Sequence, residues 1–126
     1  MMISTEPFIN MYYLHIFMHK DSSYIEEIKS NLSECKRRIM YLLGKEDISP
    51  HKNIRKETIK KRFPKKYSKE IDNALTTLIN QKRLIRLYRK NNYALNALGL
   101  KVAQSVKKDY FDEMYSDLSR IIMIIQ

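Results

Sequence analysis

Lysine and arginine carry the first chemical signal in this chain. Fifteen of its 24 basic residues fall between His51 and Lys101, where the only acids are Glu57, Glu70 and Asp72. That stretch has a local balance of +12, while the rest of the 126 residues hold nine bases and eleven acids. The net charge of +10 therefore resides in the middle of the chain. An excess so confined points to a polyanion-binding surface rather than to general solubility. Other reactive side chains are few. His15 and His19 stand four apart, a spacing that can bind a metal from one helix face, with Cys35 or His51 to complete a set. Two histidines among aromatic residues more often pack or titrate, so no metal is expected. Cys35 falls in an apolar stripe and reads as a small buried residue rather than a redox switch. The sequence contains no Gly-rich phosphate loop and no Ser/His/Asp or Cys/His grouping of recognisable spacing. Its acids lie mostly outside the basic centre. Neither an enzyme activity nor a cofactor is expected.

The elements that must carry these residues follow from composition and periodicity. With 44% hydrophobic and 30% charged residues, two Gly and three Pro, the chain suits a compact, mainly α protein. Residues 8–19, rich in Tyr, Phe, Ile and Met, predict an opening helix. The apolar run within it is too short for a membrane span, and it lacks the flanks of a secretory leader. Ser23 and Glu26 have the spacing of a capping box. Behind them Ile25, Ile28, Leu32, Cys35, Ile39 and Leu42 make one stripe, with a break possible near Ser33 and Gly44 placed for a left-handed C-cap. A short helix is expected over residues 55–62, burying Ile59 and Phe63 and stopped by Pro64. The next helix is expected to take Ser68 as N-cap and to run to about Lys82, with Ile71, Ala74, Leu75, Leu78 and Ile79 inward. Lys69, Asn73, Thr76 and Asn80, flanked by Thr77, then form its outer stripe.

Between Leu84 and Ala97 the apolar period changes from 3.6 to 2. A three-residue loop, Lys90-Asn91-Asn92, pairs Leu87 with Leu95 and turns Ile85, Leu87, Tyr93 and Leu95 to one inner face, with a left-handed Asn closing the loop. Arg86 then points outward, and Arg89 and Lys90 occupy the tip. A long helix from about Leu98 to Ile125 closes the chain. Its apolar face (Val106, Tyr110, Met114, Leu118, Ile121 and Ile125, widened by Phe111, Tyr115 and Ile122) is broader than packing on one neighbour requires, which predicts a second copy as partner.

The order helix, short helix, helix, hairpin, helix resembles the winged helix-turn-helix superfamily, particularly small dimeric regulators of the MarR and PadR kind. The carrying residues are Leu78-Ile79-Asn80-Gln81-Lys82-Arg83-Leu84-Ile85 and Tyr93-Ala94-Leu95-Asn96 followed by Gly99. The second run is similar to the family's "Tyr-x-Leu-Thr-x-x-Gly", with Asn in place of Thr. The resemblance covers residues 31–103. The basic turn Phe63-Pro64-Lys65-Lys66-Tyr67 and the opening segment depart from it. It implies a winged-helix DNA-binding domain over residues 31–103. A helical extension over residues 1–30 would serve dimerisation or the core, and residues 104–126 would be a dimerisation helix.

The resemblance also implies double-stranded DNA as partner, with the helix from Ser68 in the major groove. There Asn73 is a candidate for adenine, Lys69 for guanine, Thr76 or Thr77 for a thymine methyl, and Asn80 for the same stripe. Lys60, Lys61, Lys65 and Lys66 would meet phosphates beside that helix. Arg86, Arg89 and Lys90 would meet phosphates or the minor groove on the other side. Tyr110, Phe111, Met114, Leu118, Ile121, Ile122 and Ile125 would line a homodimer interface. The reading is thus a homodimeric, sequence-specific transcriptional regulator. The alternative is a winged-helix adaptor that binds an acidic protein in a replication or transcription assembly. A third reading lays the apolar ends on a membrane surface. The single cysteine fits a cytoplasmic setting, and no small-molecule effector is assigned.

Overall fold

The computed structural model describes residues 22–125, and the chain divides after Asn31 into two units. In the first, residues 22–30 form helix α1. Ser23 lies inside this helix rather than at its start, so it is not the cap its spacing with Glu26 suggests. Glu26 instead pairs with Lys29 at 2.7 Å. The helix expected over residues 8–19, with His15 and His19, lies outside the described residues.

The second unit runs α2 (Glu34–Lys45), β1 (Ile54–Arg55), α3 (Lys56–Lys61), a 3₁₀ turn (Lys65–Tyr67), α4 (Ser68–Asn80), β2 (Ile85–Arg89), β3 (Asn92–Leu95) and α5 (Ala97–Ile125). It is mainly helical, with one small antiparallel sheet in the order β1-β3-β2. The hairpin expected from the sequence is therefore the larger part of a three-stranded sheet. Ile54 lies opposite Tyr93 and Arg55 opposite Asn92, and the Asn92 Nδ2 donates to Asn53 Oδ1 at 3.2 Å. A strand of two residues has no alternation to betray it.

The stripe through Ile25 and Leu42 is broken at residues 31–33, where Ser33 becomes the N-cap of α2. Its Oγ accepts from the Lys36 N–H, satisfying a donor the helix leaves unpaired. The far end of α2 overturns the expectation for Gly44, which is helical and buried. Asp47 takes the left-handed conformation instead, at φ 56°. The Asp47 N–H donates to Gly44 O and the Ile48 N–H to Leu43 O, and Ile48 is buried: a Schellman closure with its hydrophobic contact. Gly44 serves packing. A β-carbon there would stand 2.8 Å from the Ala103 carbonyl oxygen, so α2 and α5 pass close together at this point.

The core gathers Ile39, Met40 and Leu43 from α2, Ile59 from α3, and Ile71, Leu75 and Leu78 from α4. Leu84, Ile85, Leu95, Val102 and Val106 complete it, all essentially inaccessible. Phe63 and Ile79, expected inside, are half-buried. Ser68 is the first residue of α4 and not its cap; Tyr67 precedes it with no side-chain bond to the helix end, because the 3₁₀ turn already leads the chain into the helix.

The strand register differs from expectation. Ile85 faces Leu95 and Leu87 faces Tyr93, then a shift between Leu87 and Arg89 brings Arg89 opposite Asn92. The loop is thus Lys90-Asn91, and Asn91 rather than Asn92 is left-handed, at φ 64°. The extra residue is absorbed as a bulge in β2 rather than in the loop. Ile85, Tyr93 and Leu95 are buried as expected, but Leu87 is 55% exposed, since β2 is an edge strand and the core ends before reaching it.

The start of α5 explains the Asn96-to-Gly99 spacing physically. Asn96 Oδ1 accepts the Gly99 N–H at 2.7 Å, an N-cap bond of the kind Thr would also make. Asn96 Nδ2 donates to the carbonyl of Arg83, itself left-handed at φ 53°. The helix start is thereby pinned to the α4–β2 connection.

Candidate nucleic-acid interface

At about 100° per residue, Lys69, Asn73, Thr76 and Asn80 fall within about 60° of one another, opposite the buried face of α4. All four are exposed, and Thr77 is half-buried beside them. The Thr76 hydroxyl donates to Asp72 O and the Thr77 hydroxyl to Asn73 O, both at 3.0 Å. Each threonine therefore spends its hydrogen on its own helix and presents a methyl group and an acceptor lone pair. Lys69, Asn73 and Asn80 supply the donors of this face.

Three cationic groups border it. Lys65 and Lys66, both exposed, occupy the 3₁₀ turn that leads into α4, and the Lys66 ammonium stands 5.1 Å from the Tyr67 ring centre. Lys36 of α2, half-buried, shares a shallow groove with Asn73 and Thr77, and with the acid Glu70. On the opposite flank, β1 and the hairpin tip meet: Arg55 pairs with Asn92 and the Lys56 N–H donates to the Asn91 carbonyl at 2.8 Å. Lys61, Arg89 and Lys90 are exposed. Arg86 is exposed but does not reach the tip, because its Nη2 donates to the Pro50 carbonyl at 2.7 Å.

Lys60 is placed differently from its basic neighbours. It lies half-buried and bonds Asp72 Oδ2 at 2.9 Å, while Lys56 Nζ approaches Asp72 Oδ1 at 2.7 Å. Arg62 is likewise engaged, with Glu46 at 3.0 Å. In the sequence Asp72 registers only as one of three acids in the basic stretch. Partners twelve and sixteen positions away on another helix leave no local pattern to find. Arg55, Lys56 and Lys36 were also missed as border residues; β1 would have had to be recognised first.

The bonds from Lys56 and then Lys60 hold the Asp72 carboxyl below its ordinary range, and the bond to Asp72 raises Lys56. The pair of shifts fixes the sign of a pH effect. The Asp72 contribution is complete above the unfolded carboxylate range and is lost as pH falls through the depressed value. Because the Asp72 side chain is 39% exposed, its contribution is about 1 kcal/mol or less. Asp72→Asn is accordingly expected to lower stability slightly at neutral pH in a urea titration, with the difference vanishing in acid. An unchanged gap in acid would mean that packing, not charge, sets it.

Cys35 is half-buried beside Phe63, Tyr67 and Glu70. Burial first, and Glu70 next, push its thiol up, so it stays protonated and weakly nucleophilic. Among the described residues no group of His, Cys, Asp and Glu is placed to hold a metal. No helix among them is long and apolar enough to cross a membrane.

At the other end of the unit, α5 extends about 28 Å past Val106. Tyr110, expected in an intermolecular face, is half-buried within the unit: its ring packs on Tyr41 at 4.5 Å and under the Arg37 guanidinium at 5.0 Å. Phe111, Met114, Tyr115, Leu118, Ile121 and Ile122 are each at least half exposed. The Ile125 side chain lies outside the described residues. Comparison with family models, curated proteins and solved structures returns no match.

Proposed function

We propose that this protein is a winged-helix regulator that binds double-stranded DNA as a homodimer, with α4 in the major groove and the β2–β3 hairpin as the wing. One observation carries the reading. The polar outer face of α4 is bordered at its start by Lys65 and Lys66 and along one flank by Arg55 and the hairpin tip. Asp72, the acid of α4 on that flank, is paired with Lys56 and Lys60. Phosphates at the helix start and along that flank would therefore meet cations beside a donor-bearing helix, the division of labour by which backbone contacts set register and base edges set sequence. Within α4, Asn73 suits adenine, Lys69 guanine, and the Thr76 methyl a thymine methyl. Lys61, Lys65, Lys66, Arg89 and Lys90 serve phosphates.

Phe111, Met114, Leu118 and Ile121 of α5 repeat at steps of three, four and three, the seam of a paired helix. Tyr115 and Ile122 broaden it to the width a helical bundle buries. A second copy is the simplest cover, and two-fold symmetry then places half-sites about one duplex turn apart.

The test is a salt-titrated binding assay of the full chain with duplex DNA. Neutralising about 6 to 10 phosphates lowers affinity ~10³–10⁵-fold between 50 and 200 mM salt. Lys65→Ala or Arg89→Ala weakens every sequence alike and flattens the slope, whereas Asn73→Ala relaxes the ranking of sequences. Asp72→Asn, which frees two ammonium groups, binds more tightly although the fold is weaker. An adaptor for an acidic protein would show little retention of random duplex even at modest salt, and that result would replace this reading.

A further inference from the structure

Leu87 and Tyr88 are adjacent in β2, yet both are open to solvent, at 55% and 45% exposure. Strict alternation along a strand would turn one of them to the core; the edge position of β2 and the register shift after Leu87 leave both outside. Two guanidinium groups lie near the Tyr88 ring, Arg86 at 5.7 Å and Arg89 at 5.5 Å from its centre. Arg86 is anchored to the Pro50 carbonyl. Among the described residues no ion pair engages Arg89 or Lys90.

An exposed aromatic ring set among cations suits a partner that offers both a face for the ring and negative charge. A second copy of this hairpin would bring like charges together. A purely apolar partner would have to strip water from the arginines. A nucleobase offers a π face for the ring, and its phosphate offers the countercharge. In an intact duplex those faces are hidden inside the stack and only base edges and backbone are open. A base presents its face where it is unpaired.

We propose that the Leu87-Tyr88 pair of the hairpin is a stacking site for an unpaired base, so that the protein prefers duplex DNA adjoining a single-stranded tail or an opened base pair. Tyr88 supplies the stacking surface, Leu87 the apolar floor beside it, and Arg89 the contact to the flanking phosphate. This rests on the nucleic-acid reading above and adds a second binding element to it.

The test compares the full chain on a blunt duplex and on the same duplex with an unpaired tail, whose first base is a fluorescent adenine analogue. The tailed duplex is expected to bind about tenfold more tightly, the gain of stacking one base, with quenching of the analogue. Tyr88→Ala should reduce the tailed duplex to the affinity of the blunt one and abolish the quenching. Tyr88→Phe should preserve both, which shows that the ring and not a folding defect is responsible. Arg89→Ala should weaken both probes. Equal binding of the two probes by the unaltered protein, with Tyr88→Ala indistinguishable, overturns the stacking site and leaves the duplex reading standing. Failure to bind either probe overturns both.

Discussion

Replacing Gly99 by alanine is expected to cost more than about 4 kcal/mol, a loss that single substitutions rarely reach. An added β-carbon would lie 1.8 Å from the Leu84 carbonyl oxygen and 3.1 Å from Leu95 Cδ2. The first obstacle is backbone, so no rotamer change relieves it. The start of α5 would have to lift away from the α4–β2 connection, and with it would go the Asn96 cap and the hydrogen bond from the Asn96 N–H to Leu84 O. Domains are stable by only about 5–15 kcal/mol, so the variant should unfold at a much lower urea concentration or fail to fold. Asn96→Thr, which keeps a capping oxygen, should lose about 1 kcal/mol or less. A Gly99→Ala chain within about 1 kcal/mol of the original would show that α5 does not abut Leu84 as described.

The second large effect concerns assembly. If two copies pair through the distal half of α5, the double variant Leu118→Glu, Ile122→Glu should run as a single chain in light scattering where the parent runs as two. Both positions are half exposed within the chain, so its own melting should scarcely change. Loss of the second DNA-binding unit should then reduce affinity for a two-half-site duplex by about 10²-fold or more, since the second contact no longer benefits from being tethered. A parent that is already a single chain at micromolar concentration would remove the dimer. An assembled variant would move the contact elsewhere on the molecule.

The helices were legible in the sequence because each buries a stripe wide enough to set a period: Ile71, Ala74, Leu75 and Leu78 in α4 leave little choice. Termini were read less well. Gly44 sits where a left-handed cap is usual, yet the close passage of α2 and α5 needs its missing side chain, and Asp47 supplies the positive φ instead. The hairpin was found but its register was not. Parity kept Ile85, Tyr93 and Leu95 on one face under either pairing, so hydrophobic pattern alone could not tell a loop residue from a bulge residue. The outer face of α4 followed from helix geometry. The neutralisation of Asp72 by Lys56 and Lys60 did not, because it joins elements whose adjacency only the fold creates.

Strand β1, for all its brevity, works as a tie-bar. Its Arg55 pairs with Asn92 at the hairpin tip, and the next residue, Lys56 at the start of α3, holds Asn91 through its N–H and reaches Asp72 on α4 through its ammonium. Two consecutive residues thus link the hairpin tip to the helix that carries the polar face. On the proposed reading, this link would set the spacing between the two elements that meet DNA.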